Sequence, residues 1–176
     1  MKKIIAFAGS NSKLSINKQL AVYAAGLVEN VETKILDLNN FELPLFGVDL
    51  EAQIGQPENA HKFLDEIRSS DGIILSLAEH NGAYSAVFKN LLDWMSRIEN
   101  KTFFGKPMLL MATSPGGRGG KSVLAIANDR FPRHNAEIIA DFSLPNFGNN
   151  FIDGKITNKE FNDELINKVE QFSKAL

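Results

Sequence analysis

Residues 4–21 read IIAFAGSNSKLSINKQLA, and the reading of this stretch decides the fold. An apolar run from Ile4 to Ala8 stops at Gly9, a polar loop follows, and apolar residues resume at Ile16 with helical spacing. Ile16, Leu20, Tyr23, Ala24, Leu27 and Val28 share one face of a helix, whereas Ile4 to Ala8 has the length and residue types of a buried strand. Strand, polar loop and helix in that order make the first half of a strand-helix-strand crossover.

The same alternation continues along the chain. Thr33 to Leu38, Gly72 to Leu77, Pro107 to Thr113 and Glu137 to Phe142 are short segments rich in Ile, Leu, Val or Phe, as buried strands are. Between them, Phe63, Leu64 and Ile67 predict a second helix, and Val87, Phe88, Leu91, Leu92 and Met95 a third. Val123, Leu124, Ile126 and Ala127 predict a fourth, and a last helix from about Asn158 to Ala175 buries Phe161, Leu165, Val169 and Phe172. Crossovers are right-handed, so the expected product is a parallel sheet covered by helices on both faces. Five strands predict an α/β, flavodoxin-like three-layer sandwich with strand order 2-1-3-4-5. Its ligands sit beyond the carboxyl ends of the strands, where the order reverses beside strand one. The connection from Asn39 to Gln56, containing ELPLFGVDLE, is longer than most and is expected to be functional or mobile.

Composition narrows the function classes. With 176 residues, 44% hydrophobic and 23% charged, the chain suits one well-buried core, so a single domain over 1–176 is expected. A net charge of −2 offers no excess to attract a polyanion, and nucleic acid is not an expected partner. The absence of cysteine excludes a disulfide framework, a thiolate metal site and dithiol chemistry, so any redox work needs a bound cofactor. His61, His80 and His134 lack metal-ligand spacing, and no metal site is expected. Met1-Lys2-Lys3 before an apolar run imitates a leader, but Ile4 to Ala8 is shorter than the apolar region of about 7–15 residues that leaders carry. No run approaches the roughly 20 apolar residues of a membrane span. A soluble cytoplasmic protein with no membrane contact is the expectation.

Three loops fall at the carboxyl edge of the predicted sheet. The first, Gly9-Ser10-Asn11-Ser12-Lys13-Leu14-Ser15, gathers hydroxyls at a helix amino terminus, where the open N–H groups of Ile16 and Asn17 and the helix dipole favour an anion such as phosphate. Ser15 alone would suffice as a helix cap, and Ser10, Ser12 and Asn17 exceed that need. The pattern is neither GxGxxG nor GxxxxGK[ST]. The second loop, Ala78 to Tyr84, carries the Asn81-Gly82 turn signal, with His80 and Tyr84 able to pack against a flat ligand and Ser85 to cap the next helix. The third, Ser114-Pro115-Gly116-Gly117-Arg118-Gly119-Gly120, has an entropic cost explained by close backbone approach to a ligand or by a need for flexibility. A planar heterocycle carrying one phosphate satisfies all three loops.

These loops resemble those of the NADPH-dependent FMN reductase family, flavodoxin-like proteins that include quinone, azo and chromate reductases. The family form G-S-x-R-x-x-S-x-N-x-x-L-A is met by Gly9, Ser10, Ser15, Asn17, Leu20 and Ala21. P-E-Y-N-G followed by L-K-N-x-x-D-W is met by Glu79, Asn81, Gly82, Lys89, Asn90, Asp93 and Trp94. S-x-G-x-x-G-G is met by Ser114, Gly116, Gly119 and Gly120, and LPLF with Asp49 is similar to the family's loop after strand two. The resemblance runs from residue 3 to about residue 131. Departures are Ser12 in place of the family arginine, with Lys13 beside it, and Ala78 and His80 in place of proline and tyrosine.

The resemblance implies FMN as cofactor and NADPH or NADH as co-substrate. It implies that Ser10, Ser15, Asn17 and the helix amides hold the phosphate, that the backbone at Glu79, His80, Asn81 and Gly82 lines the ring, and that Ser114 to Gly120, including Gly117, supports its other side. Electrons would then pass to a quinone, azo, metal-ion or free-flavin acceptor, with no residue assigned as a general acid or base. Glu79 and His80 are candidates for proton delivery or for positioning. Arg118 either recognises the phosphate of the nicotinamide cofactor or is simply solvated. Family members are homodimers or homotetramers, so Asp93 and Trp94 either face a second subunit or, for Trp94, fill the monomer core. Alternatives are an electron-carrier flavodoxin, whose phosphate loop usually runs T/S-x-T-G-x-T, and a flavin-free binding or regulatory protein of the same fold.

Overall fold

The structure, a computed structural model, describes residues 1–176. In β1 (Lys2–Gly9) successive side chains point to opposite sides of the pleat, and from Ile4 onward both sides are buried. Ile5 and Phe7 join one apolar cluster and Ile4 and Ala6 another, which is why the run is continuously apolar instead of alternating.

After β1 come α1 (Ile16–Gly26), β2 (Val31–Ile35), α2 (Val48–Ile54), α3 (Glu58–Ser69) and β3 (Gly72–Leu77). A tight hairpin of β4 (Glu79–His80) and β5 (Ala83–Tyr84) precedes α4 (Ala86–Ile98), β6 (Pro107–Thr113) and α5 (Lys121–Arg130). The chain ends with β7 (Glu137–Leu144), the single turn α6 (Phe147–Asn150), a second hairpin of β8 (Phe151–Ile152) and β9 (Lys155–Ile156), and α7 (Lys159–Ala175). The long strands pair in parallel in the order β2-β1-β3-β6-β7, which is the predicted 2-1-3-4-5 order counted over those five strands.

Residues of α3, α4 and α5 pack on the sheet face that carries Phe7, Leu75 and Leu110. Those of α1 and α7 cover the face that carries Ile4, Ile74 and Leu109. Each Leu, Ile or Phe side chain buried in these layers contributes about 1.5–3 kcal/mol. No helix is long and apolar enough to cross a membrane.

Two expectations shift. The second strand was expected over Thr33 to Leu38, yet β2 ends at Ile35 and is an edge strand with Glu32 and Lys34 exposed. The Asp37 carboxylate accepts the Asn39 N–H at 2.9 Å and caps a 3₁₀ turn over Leu38–Asn40, so the chain leaves the sheet there. Leu36 and Leu38 are buried under this turn, and their burial carries the apolar signal past the strand's end. Phe161, expected inside, is only half-buried, whereas Leu165, Val169 and Phe172 of α7 are buried as expected.

Candidate functional site

Strands β1, β3 and β6 are neighbours in the parallel sheet, so the three loops that follow them open on one edge. Adjacent strands lie about 4.8 Å apart, which sets these loops over a span of about 10 Å. The sequence motifs are therefore brought together by topology.

In the loop after β1, Ser15 caps α1 by accepting the Lys18 N–H at 3.1 Å, and Ser10 Oγ accepts the Ser12 N–H at 3.1 Å, which shapes the turn. The N–H groups of Asn11, Lys13 and Leu14 have no backbone acceptor, and the first two amides of α1, Ile16 and Asn17, have none within the helix. Lys18 is committed elsewhere: its Nζ lies 2.5 Å from Asp37 Oδ2, and that hydrogen bond holds the Asp37 carboxyl below its usual value. Lys13 and Ser12 are exposed, and Lys13 forms no ion pair. Open N–H groups, serine hydroxyls and one free ammonium converge on a loop with no acid of its own. This donor set fits a dianionic phosphate, the anionic end of FMN.

Asn17 corrects one expectation. Its side chain does not face the loop's open side but is 3% exposed and turned under the sheet edge. There its Oδ1 accepts the Ser76 hydroxyl at 2.7 Å and the Thr113 N–H at 3.0 Å, while its Nδ2 donates to the Thr113 carbonyl at 3.2 Å. Asn17 thus fastens α1 to β3 and β6, leaving only its backbone N–H for a ligand. Ser76 and Thr113 were missed at the sequence level, although a serine inside the apolar GIILSL run was a legible signal.

The loop after β3 is sharper than a generic turn. Asn81 (φ 52°) and Gly82 (φ 76°) both have positive φ and close the β4-β5 hairpin as a type I′ turn. His80, Asn81 and Gly82 are exposed at its tip, and a side chain at Gly82 would meet nothing within 4 Å, so the backbone there is open to a flat ligand. Tyr84 does not join it. Its ring stacks on Phe131 at 6.0 Å and leans on Phe88, while burial pushes its phenol up to about 12. Ser85 Oγ accepts the Phe88 N–H at 3.3 Å and donates to the Gly9 carbonyl at 2.7 Å, tying this loop to the first.

In the loop after β6 the glycines divide into two kinds. At Gly119 (φ 60°) and Gly120 (φ 75°) a Cβ would lie 2.4 Å from Ser143 Oγ and 2.7 Å from Ala112 Cβ, respectively. Here the close approach is to the protein itself, a reason for glycine at these two positions besides the ligand approach and flexibility that the sequence suggests. Ser143 donates to the Gly119 carbonyl at 2.9 Å, Asn146 N–H to Gly116 at 2.9 Å and Phe147 N–H to Ser114 at 3.1 Å, pinning the loop from behind. Gly116 and Gly117 are exposed, and a Cβ added at either would meet nothing nearer than 3.9 Å. Ser114 Oγ donates to the Gly116 carbonyl at 3.1 Å, and Arg118 Nη2 donates to Ser122 Oγ at 3.0 Å.

Residues 2–149 match the family model described as NADPH-dependent FMN reductase. The chain belongs to this family. Among relatives of this FMN reductase family member, the quinone reductase of Escherichia coli (strain K12) is 28% identical over 123 residues, 67% of this chain and 63% of that protein. The 2-hydroxy-1,4-benzoquinone reductase of Burkholderia sp is 34% identical over 119 residues, 66% and 63% of the two chains. The chain thus spans less than two thirds of the length of either relative. Among solved structures, the flavoenzyme NAD(P)H:(acceptor) oxidoreductase FerB from Paracoccus denitrificans superposes with a TM-score of 0.77 at 25% identity, covering 99% of this chain and 96% of that one.

The family segment L-K-N-x-x-D-W, here Phe88 to Trp94 on α4, has a visible task in this FMN reductase family chain. Asn90 Oδ1 accepts the Phe46 N–H at 2.8 Å, and Asn90 Nδ2 and Trp94 Nε1 donate to the Pro44 carbonyl at 3.0 and 2.7 Å. Phe46 sets its ring edge-on to Trp94 at 5.0 Å. Trp94 is fully buried within one chain, so of its two expected roles it takes the monomer core, and it holds the LPLF loop in place. Asp93 pairs with Lys89 at 2.7 Å on the helix surface. Asn11, Leu38, Phe41, Pro44, Val87 and Asn90 line a cleft of about 460 Å³ on the β2 side of the first loop.

Proposed function

We propose that this chain is an FMN-dependent NAD(P)H oxidoreductase, one flavodoxin-like domain over 1–176, that passes electrons to a small quinone, azo, metal-ion or free-flavin acceptor. The observation that carries the reading is the set of open donors between Ser10 and Asn17, with no acid among them, lying one and two strands away from two unobstructed backbone surfaces. The names of the quinone reductase relatives support the acceptor class.

Bound FMN supplies hydride acceptance and electron release; orientation and electrostatics are left to the protein. The hydroxyls of Ser10, Ser12 and Ser15 and the N–H groups of Asn11, Lys13, Leu14, Ile16 and Asn17 hold the phosphate, and the Lys13 ammonium balances charge where the family has arginine. An ammonium replaces a planar fork without its two-point geometry, so FMN binding weaker than in arginine-bearing relatives is expected. The backbone at His80, Asn81 and Gly82 lines one side of the ring and that of Ser114 to Gly117 the other. Arg118, exposed and in no ion pair, is available to a phosphate of the nicotinamide cofactor. No side chain is assigned as a general acid or base. The proposal includes a cytoplasmic homodimer or homotetramer, as the family resemblance implies.

The test is a titration of purified protein with FMN followed by mixing with NADPH or NADH. Flavin absorbance that develops on binding and bleaches with either nicotinamide is the expected result. A protein that rejects FMN is instead a binding module of the same fold, and one bleached only by a protein donor is an electron carrier. Ser15→Ala removes both the α1 cap and a phosphate hydroxyl. It is expected to cost about 1 kcal/mol in stability, read by urea unfolding, and about tenfold in FMN affinity, read by flavin fluorescence. Unchanged affinity would place the phosphate elsewhere.

A further inference from the structure

We propose that Glu79 is a positioning residue that sets the spacing between the two loops assigned to the flavin ring, acting through the first turn of α5. The proposal rests on the FMN reading above and assigns Glu79 a task distinct from ring contact or proton delivery. Its Oε2 accepts the Val123 N–H at 2.9 Å. Val123 is the third residue of α5, so the carboxylate satisfies one of the donors that a helix amino terminus leaves open. Gly120 stands at the cap position and has no side chain to do so. A carboxylate suits the place, because the helix end is partially positive and a charge-assisted hydrogen bond is the stronger kind.

The position of this bond gives it consequence. Gly120 continues directly from the Ser114–Gly119 turn, so whatever fixes the first turn of α5 also fixes the root of the glycine loop. Glu79 itself opens the hairpin whose tip is His80-Asn81-Gly82. One side chain therefore bridges two loops 44 residues apart in sequence. On the other strand of the hairpin, Tyr84 lies parallel to Phe131 (6.0 Å, 7°), in the short 3₁₀ segment after α5. The hairpin is thus clamped to the α5 region from both strands, and the gap between its tip and the glycine loop is set by the Glu79 to Val123 bond. A planar ligand held between these surfaces reads that gap directly.

Two variants separate this role from the alternatives. Glu79→Gln keeps an acceptor oxygen at the same reach, whereas Glu79→Ala removes it. In flavin-free protein, the Val123 amide of Glu79→Ala is expected to exchange with solvent at least about tenfold faster than in the wild type. The same variant is expected to bind FMN about tenfold more weakly and with a shifted flavin absorbance band. Glu79→Gln is expected to stay within about threefold of the wild type in both measurements, with the pH profile of turnover unchanged. A Glu79→Ala protein that exposes Val123 yet binds FMN with wild-type affinity and spectrum would show a helix cap without influence on the ring, overturning the proposal. So would a Glu79→Gln protein that binds FMN normally but loses turnover, since proton transfer would then be the role. Should Glu79→Ala not fold, loss of Val123 protection or of tenfold in FMN affinity in Glu79→Gln overturns it alone. A wild-type chain that takes up no FMN sinks the underlying reading, an outcome distinct from all of these.

Discussion

Asn17→Ala is expected to lower the free energy of unfolding by about 3–5 kcal/mol, measured by urea denaturation of the flavin-free protein. The substitution removes an amide that serves three buried groups at once: the Ser76 hydroxyl, the Thr113 N–H and the Thr113 carbonyl. Ser76 is 0% and Thr113 1% exposed, so water does not reach them without opening the sheet edge. A buried polar group left without a partner costs about 1–3 kcal/mol, and the loss is a large part of the 5–15 kcal/mol margin of an ordinary domain. Ser76→Ala provides the contrast. It deletes one donor while Asn17 Oδ1 keeps its bond to the Thr113 N–H, so a cost of about 1 kcal/mol is expected. FMN affinity falls in Asn17→Ala as well, because α1 is no longer fastened to β6 and the open amides of its first turn drift. A cost below 1 kcal/mol for Asn17→Ala would mean that this buried network carries little of the fold.

The contrast between Asn17 and Ser15 shows where sequence reading stops. Both lie in one motif, two positions apart at a helix start, and the residue types alone suit a phosphate equally well. Which way the second side chain points depends on how α1 crosses the sheet, a tertiary fact that places Asn17 over Ser76 and Thr113. The strands and their order were legible because buried parallel strands must be continuously apolar and crossovers have one hand. The end of β2 was not, because Leu36 and Leu38 are buried by a capped turn and read like strand. Tyr84 looked available to a ligand in the linear motif; the I′ turn at Asn81-Gly82 instead sends it inward against Phe131. Asn90 and Trp94 carried a recognisable pattern, but nothing in that pattern said that their partner was the carbonyl of Pro44.

The glycine loop yields the other large effect. Gly119→Ala is expected to destabilise the fold by at least about 3 kcal/mol, since strain at a positive φ costs about 1–2 kcal/mol and overpacking a further 1–3 kcal/mol. The new Cβ would sit 2.4 Å from Ser143 Oγ, 2.9 Å from Pro145 N and 3.1 Å from the Leu144 carbonyl carbon at a φ of 60°. Ser143 can rotate away only by giving up its bond to the Gly119 carbonyl, and the two backbone atoms cannot move without shifting the end of β7. Combining Gly119→Ala with Ser143→Ala should therefore recover only part of the loss. Gly116→Ala meets nothing within 4 Å, so its unfolding free energy is expected to stay within about 0.5 kcal/mol of wild type. If the outer face of the loop is where a flavin ring approaches, the same substitution lowers FMN affinity while sparing stability. The two glycines then separate cleanly: one is glycine because the protein needs the space, the other because a ligand does. A Gly119→Ala protein as stable as wild type would refute the packing half of that division, and a Gly116→Ala protein with unaltered FMN affinity the ligand half.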